Sequence, residues 1–129
     1  MPVQEKALET FKFLVVDDSE FARRALIKVL SHIGGTLAGE AVSGQDAVQK
    51  YKNLRPDLVF MDITMPGMEG IDALDAIMHE DRAARVVMVS SLGHNDLVKD
   101  ALKKGAKHFI TKPVQNVPMA EIVRFVLSH

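Results

Sequence analysis

Polar side chains that could bind a cation and accept a phosphoryl group follow, or end, four short apolar segments of the chain. Asp17 and Asp18 come after the first segment, Asp62 after the second, Ser90 after the third and Lys112 after the fourth. If the segments are parallel strands, their carboxyl ends meet at one edge of a sheet, where ligands usually bind. Three carboxylates, a hydroxyl and an ammonium would then face one cleft, a set that suits Mg²⁺ binding and phosphoryl transfer.

The apolar segments alternate with helical patterns five times, which favours an α/β fold. Largely apolar segments cover residues 11–16, 58–61, 86–89 and 108–111, and a weaker one covers residues 37–41. Apolar residues at a spacing of about 3.6 follow each segment and predict helices. Strands that are apolar throughout and alternate with helices indicate a parallel sheet covered on both faces.

Local signals predict where several helices begin and end. Ser19 is expected to cap the first helix, and Ser43 with Asp46 to form a capping box at the second. Residues 34–35 are both glycine and are expected to end the first helix. The last helix is expected to begin at about Val117.

The composition indicates one globular domain and excludes several classes of protein. The chain has 129 residues, of which 47 % are hydrophobic and 26 % charged, with a net charge of −1 and no cysteine. Disulfides and thiolate catalysis are therefore excluded, and the charge favours neither nucleic acid nor a membrane as a partner. Residues 1–10 are expected to be a flexible extension and residues 11–129 the domain. Without a signal peptide pattern or a long apolar run, a cytoplasmic protein is expected.

The acidic residues are candidate ligands of Mg²⁺. Asp17, Asp18 and Asp62 could supply direct or water-mediated oxygens, and the backbone carbonyl of Thr64 could add another. A single aspartate at such a position more often caps a helix or ends a strand. Three aspartates at strand ends, together with a lysine and a serine, favour a metal site.

Asp62 is the candidate phosphoryl acceptor. Its carboxylate is a weak nucleophile, but it can attack an electrophilic phosphoramidate such as phosphohistidine once its surroundings neutralise the phosphoryl oxygens. Lys112 can pair with Asp62 at rest and with a phosphoryl oxygen afterwards, while Ser90 donates its hydroxyl to another oxygen. Pro113 fixes the turn that holds the lysine, and the Lys112–Pro113 bond could be cis or trans.

These motifs resemble the receiver domain of two-component response regulators. The matching segments are Val-Val-Asp-Asp-Ser at 15–19, Met-Asp-Ile-Thr-Met-Pro-Gly-Met-Glu-Gly at 61–70, Val-Ser-Ser at 89–91 and Thr-Lys-Pro at 111–113. The four motifs occur in this order along the chain, and the resemblance covers about residues 11 to 128. The resemblance implies a (βα)5, flavodoxin-like, doubly wound parallel sheet with strand order 2-1-3-4-5. It also implies Mg²⁺ as the only cofactor.

The resemblance assigns a role to each candidate. It implies that Asp62 is the phosphoacceptor and that Asp17, Asp18 and the carbonyl of Thr64 bind the metal together with Asp62. Lys112 matches the family's signalling lysine.

Two further positions match the residues by which the family switches. Ser90 matches the switch hydroxyl, although many members have threonine there, and Phe109 matches the switch aromatic but has no hydroxyl. Thr64 and Leu92 stand where some members have polar residues that control hydrolysis of the phosphoryl group.

The chain most resembles stand-alone chemotaxis regulators, which bind a histidine kinase and the flagellar switch. A monomeric signalling switch is expected, not an enzyme, although it assists its own phosphorylation and dephosphorylation. The expected output surface consists of the fourth helix, the fifth strand and the fifth helix, and it binds a flagellar switch protein or another protein target. A phosphatase is a further candidate partner, and a phosphorelay intermediate is the alternative function.

Two other classes of protein use related chemistry on related folds. A Mg²⁺-dependent aspartyl-phosphate phosphatase of the haloacid dehalogenase type would begin with Asp-x-Asp, whereas Asp62-Ile63-Thr64 lacks the second aspartate. A flavin-binding flavodoxin-like module would cradle a phosphate in its first loop, where Asp17 and Asp18 would repel it. Turnover of small phosphate esters would support the first class, and a yellow purified protein the second.

Overall fold

A five-stranded parallel sheet forms the centre of the molecule, with strand order β2-β1-β3-β4-β5. This is a computed structural model, and it describes residues 10–63, 65, 70–91 and 95–129. The strands are β1 (Phe11–Val16), β2 (Gly35–Ala41), β3 (Leu58–Asp62), β4 (Val86–Ser90) and β5 (His108–Thr111). The strand order and the parallel pairing confirm the predicted doubly wound sheet.

Helices connect the strands, as the 3.6-residue spacing predicts. They are α1 (Glu20–His32), α2 (Gly44–Leu54), α3 (Gly70–Glu80), α4 (Asn95–Lys103) and α5 (Met119–Leu127), and a short 3₁₀ turn spans Val114–Asn116. None of the helices in the described ranges is long and apolar enough to cross a membrane.

Both faces of the central strands are buried, which explains why β3 and β4 are apolar up to their last residue. In β1, Leu14 and Val16 belong to a core cluster that includes residues of α2, α3 and α4. The alternate residues Phe13 and Val15 belong to a second cluster with α1 and α5. Because successive side chains of a strand point to opposite faces, each face of β1 requires its own set of apolar residues.

The predicted caps of α1 and α2 are confirmed. The hydroxyl of Ser19 accepts a hydrogen bond from the Ala22 N–H at 3.1 Å, and that of Ser43 accepts one from the Asp46 N–H at 3.1 Å. The reciprocal bond differs from a standard capping box, because Asp46 Oδ2 accepts from the N–H of Val42 at 3.1 Å.

Two predicted boundaries are wrong by two residues. β2 begins at Gly35 and not at Leu37, because an ideal Cβ at position 35 would lie only 2.7 Å from the Phe13 ring, and glycine lets the strand start there. α5 begins at Met119 and not at Val117, since Val117 lies between the 3₁₀ turn and Pro118. Pro118 disfavours helical backbone at the residue before it.

A polar cluster joins the ends of α2 and α3 on the edge of the sheet opposite the strand carboxyl ends. The Tyr51 hydroxyl donates to Asp81 Oδ2 at 2.7 Å, and Arg55 Nη1 donates to the same oxygen at 3.2 Å. The Arg55 guanidinium also lies 5.6 Å from the centre of the Tyr51 ring. Burial, together with the hydrogen bond to Asp81 and its charge, raises the pKa of Tyr51 to about 12.

We expect Tyr51→Phe to lower the free energy of unfolding by about 1 kcal/mol near neutral pH, because it removes this hydrogen bond. The parent loses stability as the pH rises from about 10 towards 12, since the unfolded tyrosine ionises before the folded one. The phenylalanine variant lacks this loss, so the difference between the two proteins shrinks in alkali. Urea unfolding at about pH 8 and about pH 11 measures the difference in free energy of unfolding between the two proteins. An equal difference at both pH values would contradict the raised pKa of Tyr51.

Candidate functional site

The fold brings the three predicted aspartates together at the carboxyl edge of the sheet. One carboxylate oxygen from each of Asp17, Asp18 and Asp62 lies within 4.8 Å of the other two. The register explains the proximity, because Val16 pairs with Met61 and the next residue on each side is an aspartate, Asp17 directly after β1 and Asp62 at the end of β3. Asp17 and Asp62 are buried, whereas Asp18 is exposed to solvent.

Lys112 lies between the two buried carboxylates. Its Nζ is 3.1 Å from Asp17 Oδ2 and 3.7 Å from Asp62 Oδ2. The predicted pair with Asp62 is therefore present, but the shorter contact is with Asp17. Partial burial lowers the pKa of Lys112, but Asp62 and Asp17 together raise it more, so the net pKa lies above its ordinary value. The Lys112–Pro113 peptide bond is cis.

Backbone and side-chain hydrogen bonds fix Asp17 from several directions. Its Oδ1 accepts from the Ser19 N–H at 2.9 Å, and its own N–H donates to the Ala41 carbonyl at 3.1 Å. Its carbonyl accepts from Arg23 Nη1 at 2.8 Å, a contact that the sequence reasoning missed. A signal for it existed, because a cation in the first turn of a helix opposes the helix dipole and needs a partner there.

Gly70 permits α3 to begin against the end of β3. Its N–H donates to the Ile63 carbonyl at 2.9 Å. An ideal Cβ at position 70 would lie 2.1 Å from the carbonyl oxygen of Asp62, so any other residue would have to displace this backbone. Sequence reasoning assigned no role to Gly70 and missed its contribution to the position of Asp62.

Ser90 ends β4, next to the strand that carries Asp62. Asp62 pairs with Val89, one residue before Ser90, and the buried Ser90 hydroxyl donates to the carbonyl of Ser91 at 2.7 Å. Phe109 lies on β5 with 38 % of its surface exposed. The predicted metal ligand Thr64 lies outside the described residues.

The donor set fits Mg²⁺. Three carboxylates supply hard oxygens close enough to share one small cation, and an exposed member of the set leaves room for the waters that Mg²⁺ retains. The cluster carries three formal negative charges against the single ammonium of Lys112, which leaves a site that attracts a cation. A metal ion bound there would supply positive charge to phosphoryl oxygens.

Comparisons with known proteins identify the family of the chain. Residues 13–124 match the family model of the response regulator receiver domain. A chemotaxis protein CheY of Thermotoga maritima is 45 % identical over 115 residues, which cover 89 % of this chain and 96 % of that protein.

Solved structures share the fold. The crystal structure of the CheX-CheY-BeF3-Mg complex from Borrelia burgdorferi contains a chain that is 45 % identical, with a TM-score of 0.80 and coverage of 92 % of this chain and 87 % of that one. The response regulator domain of Thermotoga maritima CheB is 37 % identical, with a TM-score of 0.86 and coverage of 93 % and 98 %. With strand order, acidic cluster and lysine all in place, the chain belongs to the response regulator receiver domain family.

Proposed function

We propose that Asp62 accepts a phosphoryl group from a histidine kinase in a Mg²⁺-dependent reaction, and that the product switches a protein-binding surface. The observation that carries this proposal is the grouping of Asp17, Asp18 and Asp62 with Lys112 at the carboxyl edge of the sheet. Phosphoryl acceptance and Mg²⁺ dependence are general in this family. The acceptor and the metal ligands of this chain are assigned from their positions.

The transfer forms one bond and breaks another. An Asp62 carboxylate oxygen forms a bond to phosphorus as the bond from phosphorus to the histidine nitrogen of the kinase breaks. The electron pair of that bond stays on the leaving imidazole, which is neutral if its nitrogen takes up a proton. The product is a mixed anhydride of the Asp62 carboxyl group and phosphate.

Lys112 is protonated in the resting protein, because Asp62 and Asp17 raise its pKa above the ordinary lysine value. Its ammonium can release Asp62 Oδ2, now 3.7 Å away, and bind a phosphoryl oxygen instead. Mg²⁺ would be held by Asp17, Asp18 and Asp62, with the Thr64 carbonyl as a further proposed ligand. The contribution of this chain is to hold the Lys112 ammonium and the Mg²⁺ ion beside Asp62.

Asp62→Asn tests the acceptor. It keeps the shape of the side chain but removes the nucleophilic oxygen, so labelling from phosphohistidine or acetyl phosphate should fall at least about a hundredfold, close to the level without Mg²⁺. Labelling is measured by phosphate-affinity gel electrophoresis with and without chelator. A variant that labels as fast as the parent, with no new acceptor, would show that Asp62 is not the acceptor.

The kinase is proposed to dock on α1 beside the site. Phe21 exposes 81 % of its surface in the first turn of α1. Beside it lies a cavity of about 330 Å³ whose lining is mostly apolar and also includes Asp17 and Lys112. An exposed aromatic next to an apolar recess is a common anchor for a partner protein, and this one adjoins the reacting carboxylate.

Phe21→Ala separates docking from chemistry. We expect transfer from the cognate kinase to slow by about tenfold, while phosphorylation by acetyl phosphate stays unchanged because the small donor needs no docking surface. Phe125→Ala, which removes an exposed phenylalanine from α5, is the matched control. Equal loss with both donors, or no loss with the kinase, would contradict docking at Phe21.

The output surface is proposed to lie on α4, β5 and α5. Phe109 and Phe125 are exposed there, and the ring of His108 contacts both at centre distances of 6.1 and 5.9 Å. Phosphorylation would draw the Ser90 hydroxyl from the Ser91 carbonyl to a phosphoryl oxygen, and the Phe109 ring would turn inward into the space that Ser90 leaves. A partner that binds better in this arrangement shifts the population towards it.

The relatives named as chemotaxis proteins support a flagellar switch protein as the target and chemotaxis as the pathway. The crystal structure of the CheX-CheY-BeF3-Mg complex supports a further protein partner, and a phosphatase is the candidate for it. A cytoplasmic, monomeric switch that is not an enzyme fits this role. A phosphorelay intermediate is the second candidate.

Ser90→Ala and Phe109→Ala test the switch. Both variants should still accept a phosphoryl group, but the affinity for the flagellar switch protein should no longer rise about tenfold when beryllofluoride and Mg²⁺ are added. Ser91→Ala, which removes the neighbouring exposed hydroxyl, should keep the full rise. Calorimetric titration measures the affinities, and a full rise in both test variants would exclude coupling through these residues.

A further inference from the structure

Arg23 connects the metal-site loop to the edge strand of the sheet. Its Nη1 donates to the Asp17 carbonyl at 2.8 Å, and its Nε donates to Glu40 Oε1, also at 2.8 Å. The side chain is only 13 % exposed. One guanidinium therefore bridges the residue after β1 and a residue of β2, which the fork of N–H donors on arginine allows.

Glu40 is itself held in place by α2. Its backbone carbonyl accepts from Lys50 Nζ, and the same ammonium lies 3.3 Å from Asp46 Oδ2. Asp46 in turn accepts from the N–H of Val42 in the loop after β2. The bridge from Asp17 through Arg23 thus ends on a strand and a helix that are tied to each other.

The position of Arg23 in its helix is unfavourable without these partners. It lies in the first turn of α1, where the helix dipole favours anions over cations. The next residue, Arg24, meets this condition differently, because its side chain is 76 % exposed and pairs with Glu20 on the same helix. Arg23 instead turns inward, and the hydrogen bonds to Asp17 and Glu40 replace its hydration.

We propose that Arg23, held by Glu40, is a positioning residue that fixes the Asp17 carboxylate in the geometry required for cation binding. The bond from Arg23 engages the Asp17 carbonyl on the side of α1 and β2. The Asp17 N–H donates to the Ala41 carbonyl, and Asp17 Oδ1 accepts from the Ser19 N–H, so Asp17 has little freedom left. Asp17 Oδ2 lies against Lys112. Loss of the guanidinium would free the carbonyl and let the peptide rotate, which moves the carboxylate.

This inference rests on the proposed Mg²⁺ site, and its consequence is a change in affinity. Residues that orient metal ligands without touching the metal typically contribute tenfold or more to metal affinity. Arg23→Gln should therefore weaken Mg²⁺ binding by about tenfold, although it removes a positive charge near an acidic cluster and simple electrostatics would strengthen binding. The two explanations predict opposite signs.

The experiment compares Arg23→Gln with Arg24→Gln, which removes the same charge one residue along. Mg²⁺ affinity is measured by calorimetric titration of the full chain. The position of Asp17 is read in the metal-free protein from the NMR signal of the Ser19 N–H, which donates to Asp17 Oδ1. We expect weaker binding and a shifted Ser19 signal in Arg23→Gln, with both unchanged in Arg24→Gln.

Two further variants complete the test. Arg23→Lys keeps the charge but cannot bridge both oxygens in the same way, so it should bind Mg²⁺ more weakly than the parent. Glu40→Gln removes the anchoring charge from a half-exposed position and should shift the Ser19 signal as Arg23→Gln does. The signal decides the matter if Arg23→Gln does not fold, because loss of a negative charge alone would weaken Mg²⁺ binding without moving Asp17.

The outcomes separate this inference from the proposed function. If Arg23→Gln melts at a lower temperature but keeps the parent's Mg²⁺ affinity and Ser19 signal, Arg23 is merely structural and the inference is wrong. Tighter Mg²⁺ binding in Arg23→Gln would also overturn it. If the parent itself does not bind Mg²⁺, the metal assignment fails, and an unshifted Ser19 signal in Arg23→Gln would then overturn the positioning of Asp17 as well.

Discussion

Repulsion among three carboxylates at one edge of the sheet is the constraint on which the rest of the structure depends. Asp17, Asp18 and Asp62 offer oxygens within 4.8 Å of one another. Like charges this close are unfavourable, and Lys112 offsets only part of the repulsion. The fold holds them there because β1 and β3 are adjacent parallel strands that end at the same edge of the sheet. This repulsion makes the edge a binding site for a cation. The charge of that cation, together with the Lys112 ammonium, would then hold the oxygens of a phosphoryl group.

Close packing, hydrogen bonds and ion pairs around the cluster hold the carboxylates in place. Gly70 lets α3 start against the carbonyl of Asp62, where a Cβ would lie at 2.1 Å. Arg23 holds the carbonyl of Asp17, and Lys112 reaches across from β5 to both buried carboxylates. Each contact comes from a different helix or strand, so small movements of these elements relative to the sheet would change the site. This dependence offers a physical route by which chemistry at Asp62 could alter a distant surface.

The sequence predicts most of the fold and of the site because the signals are local and repeated. Continuous apolar strands, helical spacing and serine caps yield the sheet and its helices, and a polar residue at each strand end yields Asp17, Asp62, Ser90 and Lys112. The misplaced start of β2 came from treating Gly35 as a helix terminator, whereas the neighbouring Phe13 ring requires a residue without a Cβ. Although a cation in the first turn of α1 signals that Arg23 needs a partner, the identities of the partners of Arg23 and Gly70 depend on the folded backbone. They could not be read from spacing alone.

Chemical mapping of the phosphoryl group tests the central claim most directly. The parent protein is incubated with acetyl phosphate and Mg²⁺, reduced with borohydride, digested and analysed by mass spectrometry. Borohydride converts a phosphorylated aspartate to homoserine, so the conversion marks the acceptor. The account predicts homoserine at position 62 alone, and only in samples that contained Mg²⁺. Conversion at Asp17 or Asp18, or equal conversion at position 62 without the metal, would contradict it.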